Sequence, residues 1–205
     1  GQKLALRRIL SAVRGNGHIE LDARFLDAMR GVLRHPELDA AFKELVLTLP
    51  SEAYVAEQLE VVDPQRIHTA REHIKQQLAH ALRVDWEWAY EAHHDSGAYS
   101  PDAVSSGRRA LANLALGMLV RDAVLRQNQV WPGKALQRFK SATNMTDRLG
   151  ALAALVNAHS ELAVGALERF HAQFKNEPLV IDKWFSLQVT APEHEGQVFA
   201  RAKAL

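Results

Sequence analysis

Apolar residues recur every three or four positions along almost the whole chain, and apolar and polar residues do not alternate for more than four positions in a row. A 3.6-residue period buries one stripe of a helix, and a half-buried strand needs a period of two. The chain is therefore read as all-α. The first stripe runs through Leu4, Leu6, Ile9, Leu10 and Val13 and ends at Gly15-Asn16-Gly17. Phe25, Leu26, Met29, Val32 and Leu33 form a second, and Leu38, Ala41, Phe42, Leu45, Val46 and Leu49 a third, closed by Pro50. Ser51 caps a short fourth helix.

Asp63-Pro64 is the clearest helix start. The aspartate accepts a free backbone amide, and proline at the first helical position gives up a donor that had no partner. Ile67, Ala70, Ile74, Leu78, Ala81, Leu82, Trp86 and Ala89 then predict one long helix over 64–93, a rod of about 45 Å. Ser100-Pro101-Asp102 repeats the cap-then-proline start, and Leu111, Leu114, Ala115, Met118, Leu119 and Val120 carry that helix inward. Trp131-Pro132 opens another helix. Asn144-Met145-Thr146-Asp147 resembles a capping box, Ser160 caps the next helix, Glu177-Pro178 begins a further one and Pro192 the last.

The expectation is about ten helices joined by short turns, mostly antiparallel neighbours, in an irregular array resembling a paired-helix solenoid. All 205 residues are read as a single helical domain. No strict repeat and no tetratricopeptide or ankyrin signature is present.

Composition narrows the function classes. Apolar residues make up 47% and charged residues 24%, ordinary values for a globular domain that needs no staple to fold. Zero cysteines exclude disulfides, thiolate metal sites and thiol catalysis, and fit a reducing, cytoplasmic setting. A net charge of +1 gives no bulk attraction to nucleic acid or anionic membrane, and no apolar run reaches the length of a spanning helix. Charge is nonetheless uneven. Residues 36–63 carry one basic and seven acidic side chains, whereas residues 96–142 carry seven basic and two acidic. These read as solvated faces, since exposed pairs contribute only about 0–1 kcal/mol each.

Ten histidines invite a search for metal ligands. A zinc-protease helix needs His-Glu-x-x-His, but after His194-Glu195 the required second histidine is Val198. His73 and His80 share a face about 10.5 Å apart, too far to share an ion. His68 and Glu72 could supply two ligands, with no third in view. His93-His94 read as a helix C-terminal cap, where the dipole favours positive charge. Gly15-Asn16-Gly17 lacks the third glycine of a dinucleotide loop. Val104-Ser105-Ser106-Gly107 lacks the first glycine of a nucleophile elbow. Asn144-Met145-Thr146 matches a glycosylation sequon, but capping explains it more simply. Arg108, Arg109 and Arg121 lack the interleaved aromatics of a nucleic-acid surface. Trp86 and Trp88, two apart on a helix, point in different directions, one into the core and one to an edge. No catalytic, cofactor-binding or metal residue is assigned to any position.

Several segments occur in a recognisable order: Leu47-Thr48-Leu49-Pro50-Ser51-Glu52, Asp63-Pro64 leading into Ala70-Arg71-Glu72, and Arg108-Arg109-Ala110-Leu111-Ala112-Asn113. Ala142-Thr143-Asn144-Met145-Thr146-Asp147 and Pro178-Leu179-Val180-Ile181-Asp182-Lys183-Trp184-Phe185-Ser186-Leu187-Gln188 follow. Together they resemble part of the C-terminal helical domain of bacterial aminopeptidase N, the zinc-dependent alanyl aminopeptidase family. The resemblance implies a parent that removes N-terminal residues from peptides with a zinc held in a separate catalytic domain of the same polypeptide. It implies a helical domain that packs over that active site and limits access to short peptides. The charge balance and the lack of a spanning run give the expectation of no nucleic acid and no membrane as partner. Later helices of the family would follow Leu205, and their absence would leave an apolar surface near residues 180–205. The piece itself is expected to be inactive and to hold no cofactor. The alternative is a free-standing helical scaffold for protein–protein interaction.

Overall fold

A computed structural model describes residues 2–15, 19–94, 97–194 and 196–205. Among these residues there are twelve helices and no strand, so the all-α reading holds. The chain divides into two compact units, Gly1–Met118 and Leu119–Leu205.

The first unit contains α1 (Gln2–Arg14), α2 (Ala23–Arg34), α3 (Ala40–Leu47), α4 (Glu52–Ala56), α5 (Pro64–Ala81) and α6 (Arg83–His93). It also holds most of α7 (Ala103–Leu125). Side-chain caps start these helices as expected of their residues: Asp22, Asp39, Ser51 and Asp63 each accept the amide three residues on. α1 packs on α4 and α5, and α2 packs on α3 and α6. The Gln77 side chain pins the segment before α2 to α5. Its amide accepts the Leu21 N–H and donates to the Ile19 carbonyl.

Four expectations need correction here. The helix over 64–93 is not continuous. It breaks at Leu82 (φ −107°, ψ 21°), which is fully buried. The break lets the Trp86 indole reach back and donate to the Leu78 carbonyl, while Asp85 turns to receive Arg30 and Arg34 of α2. On α1 the buried face is Ala5, Ile9, Ala12 and Val13, with Leu4 exposed. On α3, Phe42 and Leu45 face outward while Lys43 and Leu47 are buried. At the start of α7 the cap is Asp102, accepting the Ser105 N–H, and the Ser100 hydroxyl donates to that carboxylate.

The second unit contains α8 (Val130–Ser141), α9 (Met145–Asn157), α10 (Ala163–Phe174), α11 (Pro178–Val189) and α12 (Gln197–Ala204). Each packs on its successor, α8 on α9 through α11 on α12, with α11 also on α9. Successive helices stacking as neighbours is the local order of a paired-helix array. Asn144 caps α9 as its motif predicts, accepting the Asp147 N–H. Ser160 lies further out than expected, its hydroxyl accepting the Leu162 N–H before α10 begins. The last helix begins at Gln197 behind Gly196, whose φ of 75° is a left-handed conformation suited to glycine. Pro192 lies in the turn before it.

α11 is rich in apolar residues yet only Gln188 is buried. Leu179 is 81% exposed, and Phe185, Val189 and, on α12, Phe199 are exposed with it. Exposed apolar side chains therefore occur in the stretch where an apolar surface was expected.

Two glycines of α7 behave oppositely. A Cβ at Gly107 would sit 2.9 Å from both the Cβ and the backbone N of Ala41, whereas at Gly117 it would meet nothing within 4 Å. Gly107→Ala is expected to destabilise by about 1–3 kcal/mol, because backbone must move. Gly117→Ala is expected to stabilise by about 0.5–1 kcal/mol. Urea unfolding of both variants checks this, and a shift of the same sign for both would refute the close approach at Gly107.

Candidate functional site

The close passage of α7 past α3 shapes one wall of a cleft of about 490 Å³ in the first unit. Asp39, Ala40 and Ala41 from the start of α3, Ala103, Val104 and Arg108 from the start of α7, and His93 from the end of α6 line it. The lining is mostly apolar, with Asp39, His93 and Arg108 as its polar members.

The charges around it are held in definite ways. Asp39 accepts the Phe42 N–H as the α3 cap, and Arg108 Nη2 donates to the Ala92 carbonyl at 3.0 Å. His93 Nδ1 lies 2.9 Å from the Ala89 carbonyl, one turn earlier, and donates to it when protonated there. The bond lies in the last turn of α6, where a capping role was expected of His93-His94, although the C-cap residue itself is His94. Burial pushes the imidazole pKa down, with Lys43 and Arg108 adding to the shift and the Ala89 bond opposing it. Burial likewise lowers the Lys43 pKa. The Lys43 side chain, 4% exposed, runs along Trp88, its ammonium 5.7 Å from the ring centroid. The Arg34 guanidinium covers the same indole at 4.4 Å, and His93 meets it edge-on. Trp86 is the core tryptophan and Trp88 the edge one, so the pair divides as its spacing predicts.

The next cation along, Arg109, is also only 4% exposed. It donates to the Ser100 carbonyl and the Ser106 hydroxyl and lies over the Tyr99 ring, while its Nε has no acceptor. The Ser100 hydroxyl and the Ser105 amide hold the Asp102 carboxyl well below the usual range.

The other sequence candidates fall elsewhere. His68 gains a partner that spacing did not show: its Nδ1 is 2.9 Å from Glu52 Oε1, and Arg71 joins the same carboxylate. The three tie α4 to α5. His194 stacks on His159 at 4.6 Å; Asn16, Gly17, His18 and Glu195 lie outside the described residues. Asn144 serves as a cap. Ser105 and Ser106 lie in the first turn of α7, bonded to Asp102 and to Pro101 and Arg109. Among the described residues, no three of His, Asp and Glu gather where they could hold a metal ion. No helix among them is long and apolar enough to cross a membrane.

The decisive observation is a match over residues 1–205 to the family model described as "Domain of unknown function (DUF3458_C) ARM repeats". The chain belongs to the DUF3458_C family. Its relatives carry a peptidase name. Aminopeptidase N of Caulobacter vibrioides is 35% identical over 192 residues, which cover 94% of this chain and 22% of that protein. Aminopeptidase N of Escherichia coli is 31% identical over 174 residues, covering 85% and 19%. A crystal structure of Legionella pneumophila aminopeptidase A in complex with aspartic acid superposes with a TM-score of 0.81 at 25% identity, covering 99% of this chain and 24% of that one. The chain spans about a fifth of the curated relatives it matches. The resemblance to bacterial aminopeptidase N read from the sequence agrees with these matches, and the ARM-repeat description agrees with a helical array.

Proposed function

We propose that this DUF3458_C chain is a non-catalytic part of the C-terminal helical domain of a zinc-dependent aminopeptidase, and that all 205 residues belong to that one domain. Its role is to cover the active site of a catalytic domain in the same polypeptide and to limit access to short peptides. The observation that supports this best is the pair of coverages: 94% of this chain aligns with only 22% of an aminopeptidase N. A segment that small, with helices and no strand among its described residues, suits a cover more than a reaction centre. The zinc and the water it activates belong to the catalytic domain, and no step of the reaction is assigned to a residue of this chain. The setting proposed is cytoplasmic.

The test compares the purified 205-residue chain with the full-length parent loaded with zinc, using an alanyl anilide. The parent is expected to turn it over and the shorter chain to show no turnover. Chelator-sensitive hydrolysis by the shorter chain would overturn the non-catalytic assignment. For the covering role, the parent is expected to trim short peptides and leave the N-terminus of a folded protein intact. Equal trimming of both would overturn it.

A further inference from the structure

We propose that the cleft between the starts of α3 and α7 binds a small organic carboxylate carried on an apolar body. The inference is independent of the peptidase reading.

The first argument is charge. Three cations stand around this corner without a carboxylate partner among the described residues. Arg108, on the wall, donates to a neutral carbonyl of Ala92. Lys43, two residues beyond the lining Ala41, has the Trp88 ring for its neighbour. Arg109 has a carbonyl, a hydroxyl and a ring, with its Nε unsatisfied. Among the described residues, the acids of the same corner have hydrogen-bond or ion-pair partners, though Asp39 keeps its negative charge on the lining. Asp85 receives Arg30 and Arg34, Asp39 caps α3, and Asp102 caps α7 and accepts the Ser100 hydroxyl. Of the three, Arg108 is half-buried and lines the cleft, while Lys43 and Arg109 are buried nearby without lining it; an anion at Arg108 gains a charge-assisted hydrogen bond there.

The second argument is shape. A volume of about 490 Å³ lies within the range of small-molecule sites, which are mainly apolar with a few convergent polar groups. Ala40, Ala41, Ala103 and Val104 supply the apolar surface and Arg108 the polar anchor. Inorganic phosphate would leave that apolar surface unused, whereas an amphipathic acid uses both. Arg108 presents a planar fork matched to a carboxylate.

The probe is N-acetylphenylalanine, titrated into the 205-residue chain and followed by calorimetry and amide chemical shifts. Saturable binding is expected, with shifts centred on Ala40, Ala41 and Ala103. The uncharged N-acetylphenylalaninamide is expected to bind at least tenfold more weakly. Arg108→Gln should lower affinity for the acid at least tenfold without changing the thermal unfolding midpoint. Lys43→Met, which keeps the buried stem, should lower it severalfold. Absence of saturable binding, equal binding of acid and amide, shifts centred elsewhere, or an unchanged affinity in Arg108→Gln would each overturn the proposal. So would inorganic phosphate displacing the probe at equal concentration, since the apolar body would then contribute nothing.

Discussion

Arg138→Met is expected to lower the unfolding free energy by about 3–5 kcal/mol, because it strands a buried carboxylate. Arg138 of α8 meets Asp147 of α9 at 2.8 Å, with side chains only 12% and 4% exposed. The same Asp147 oxygen accepts the Asn144 side-chain amide at 2.8 Å, and the other carboxylate oxygen is buried without a partner. Removing the guanidinium therefore leaves a charge that neither solvent nor another cation of known contact relieves. Methionine fills most of the vacated volume, so the loss reports the charge rather than a cavity. Arg138→Met combined with Asp147→Leu removes both charges and is expected to recover most of the stability, less the capping interaction that Asn144 shares with Asp147. Urea unfolding of the two single variants and the double variant gives the coupling. A single-variant loss below about 1 kcal/mol would show that the pair is solvated in solution.

Trp86→Ala is expected to cost about 3–5 kcal/mol, and Trp88→Ala only about 1–2 kcal/mol. Trp86 is 1% exposed and its indole N–H donates to the Leu78 carbonyl at 3.1 Å. Truncation opens a cavity and removes the contact associated with the break at Leu82. Trp88 is 36% exposed and keeps one face against the Arg34 guanidinium. Losing it removes a cation–π contact and part of an apolar surface, and solvent refills the space. Denaturant unfolding checks both. If Trp88 proved the costlier position, α6 would have to be rotated about its axis from the orientation described.

The same two tryptophans show how far local patterning reaches. Two residues on a helix are about 200° apart, so the sequence already required one inside and one outside. Which was which depended on α2, whose Arg30 and Arg34 clamp Asp85 and set the rotation of α6. α3 shows the opposite case. Its apolar residues suggested an inward face through Phe42 and Leu45, yet those two are exposed and Lys43 is buried alongside Leu47. A long aliphatic stem packs as an apolar residue does, with the charge carried at its tip, and a hydrophobicity pattern cannot register that.

The candidate cleft was the least legible part. Arg108, Arg109 and His93 each attracted notice in the sequence, for phosphate contact or capping, but nothing there joined them to Lys43, far away along the chain. That juxtaposition arises because Gly107 lets α7 approach Ala41 of α3. His68 and Glu52 are similar, sixteen residues apart and paired only through the docking of α4 on α5.

Helix class, most helix starts and the likeness to an aminopeptidase region were properties of the chain alone. Each is written in short-range features: a 3.6-residue period, a capping side chain, a proline in the first turn, a run of consecutive residues. Helix rotation, the break at Leu82, the burial of Lys43 and the gathering of cations around one cleft were decided by tertiary packing. These depend on which faces meet, and contacts between distant segments set that at an energy larger than local preference can oppose.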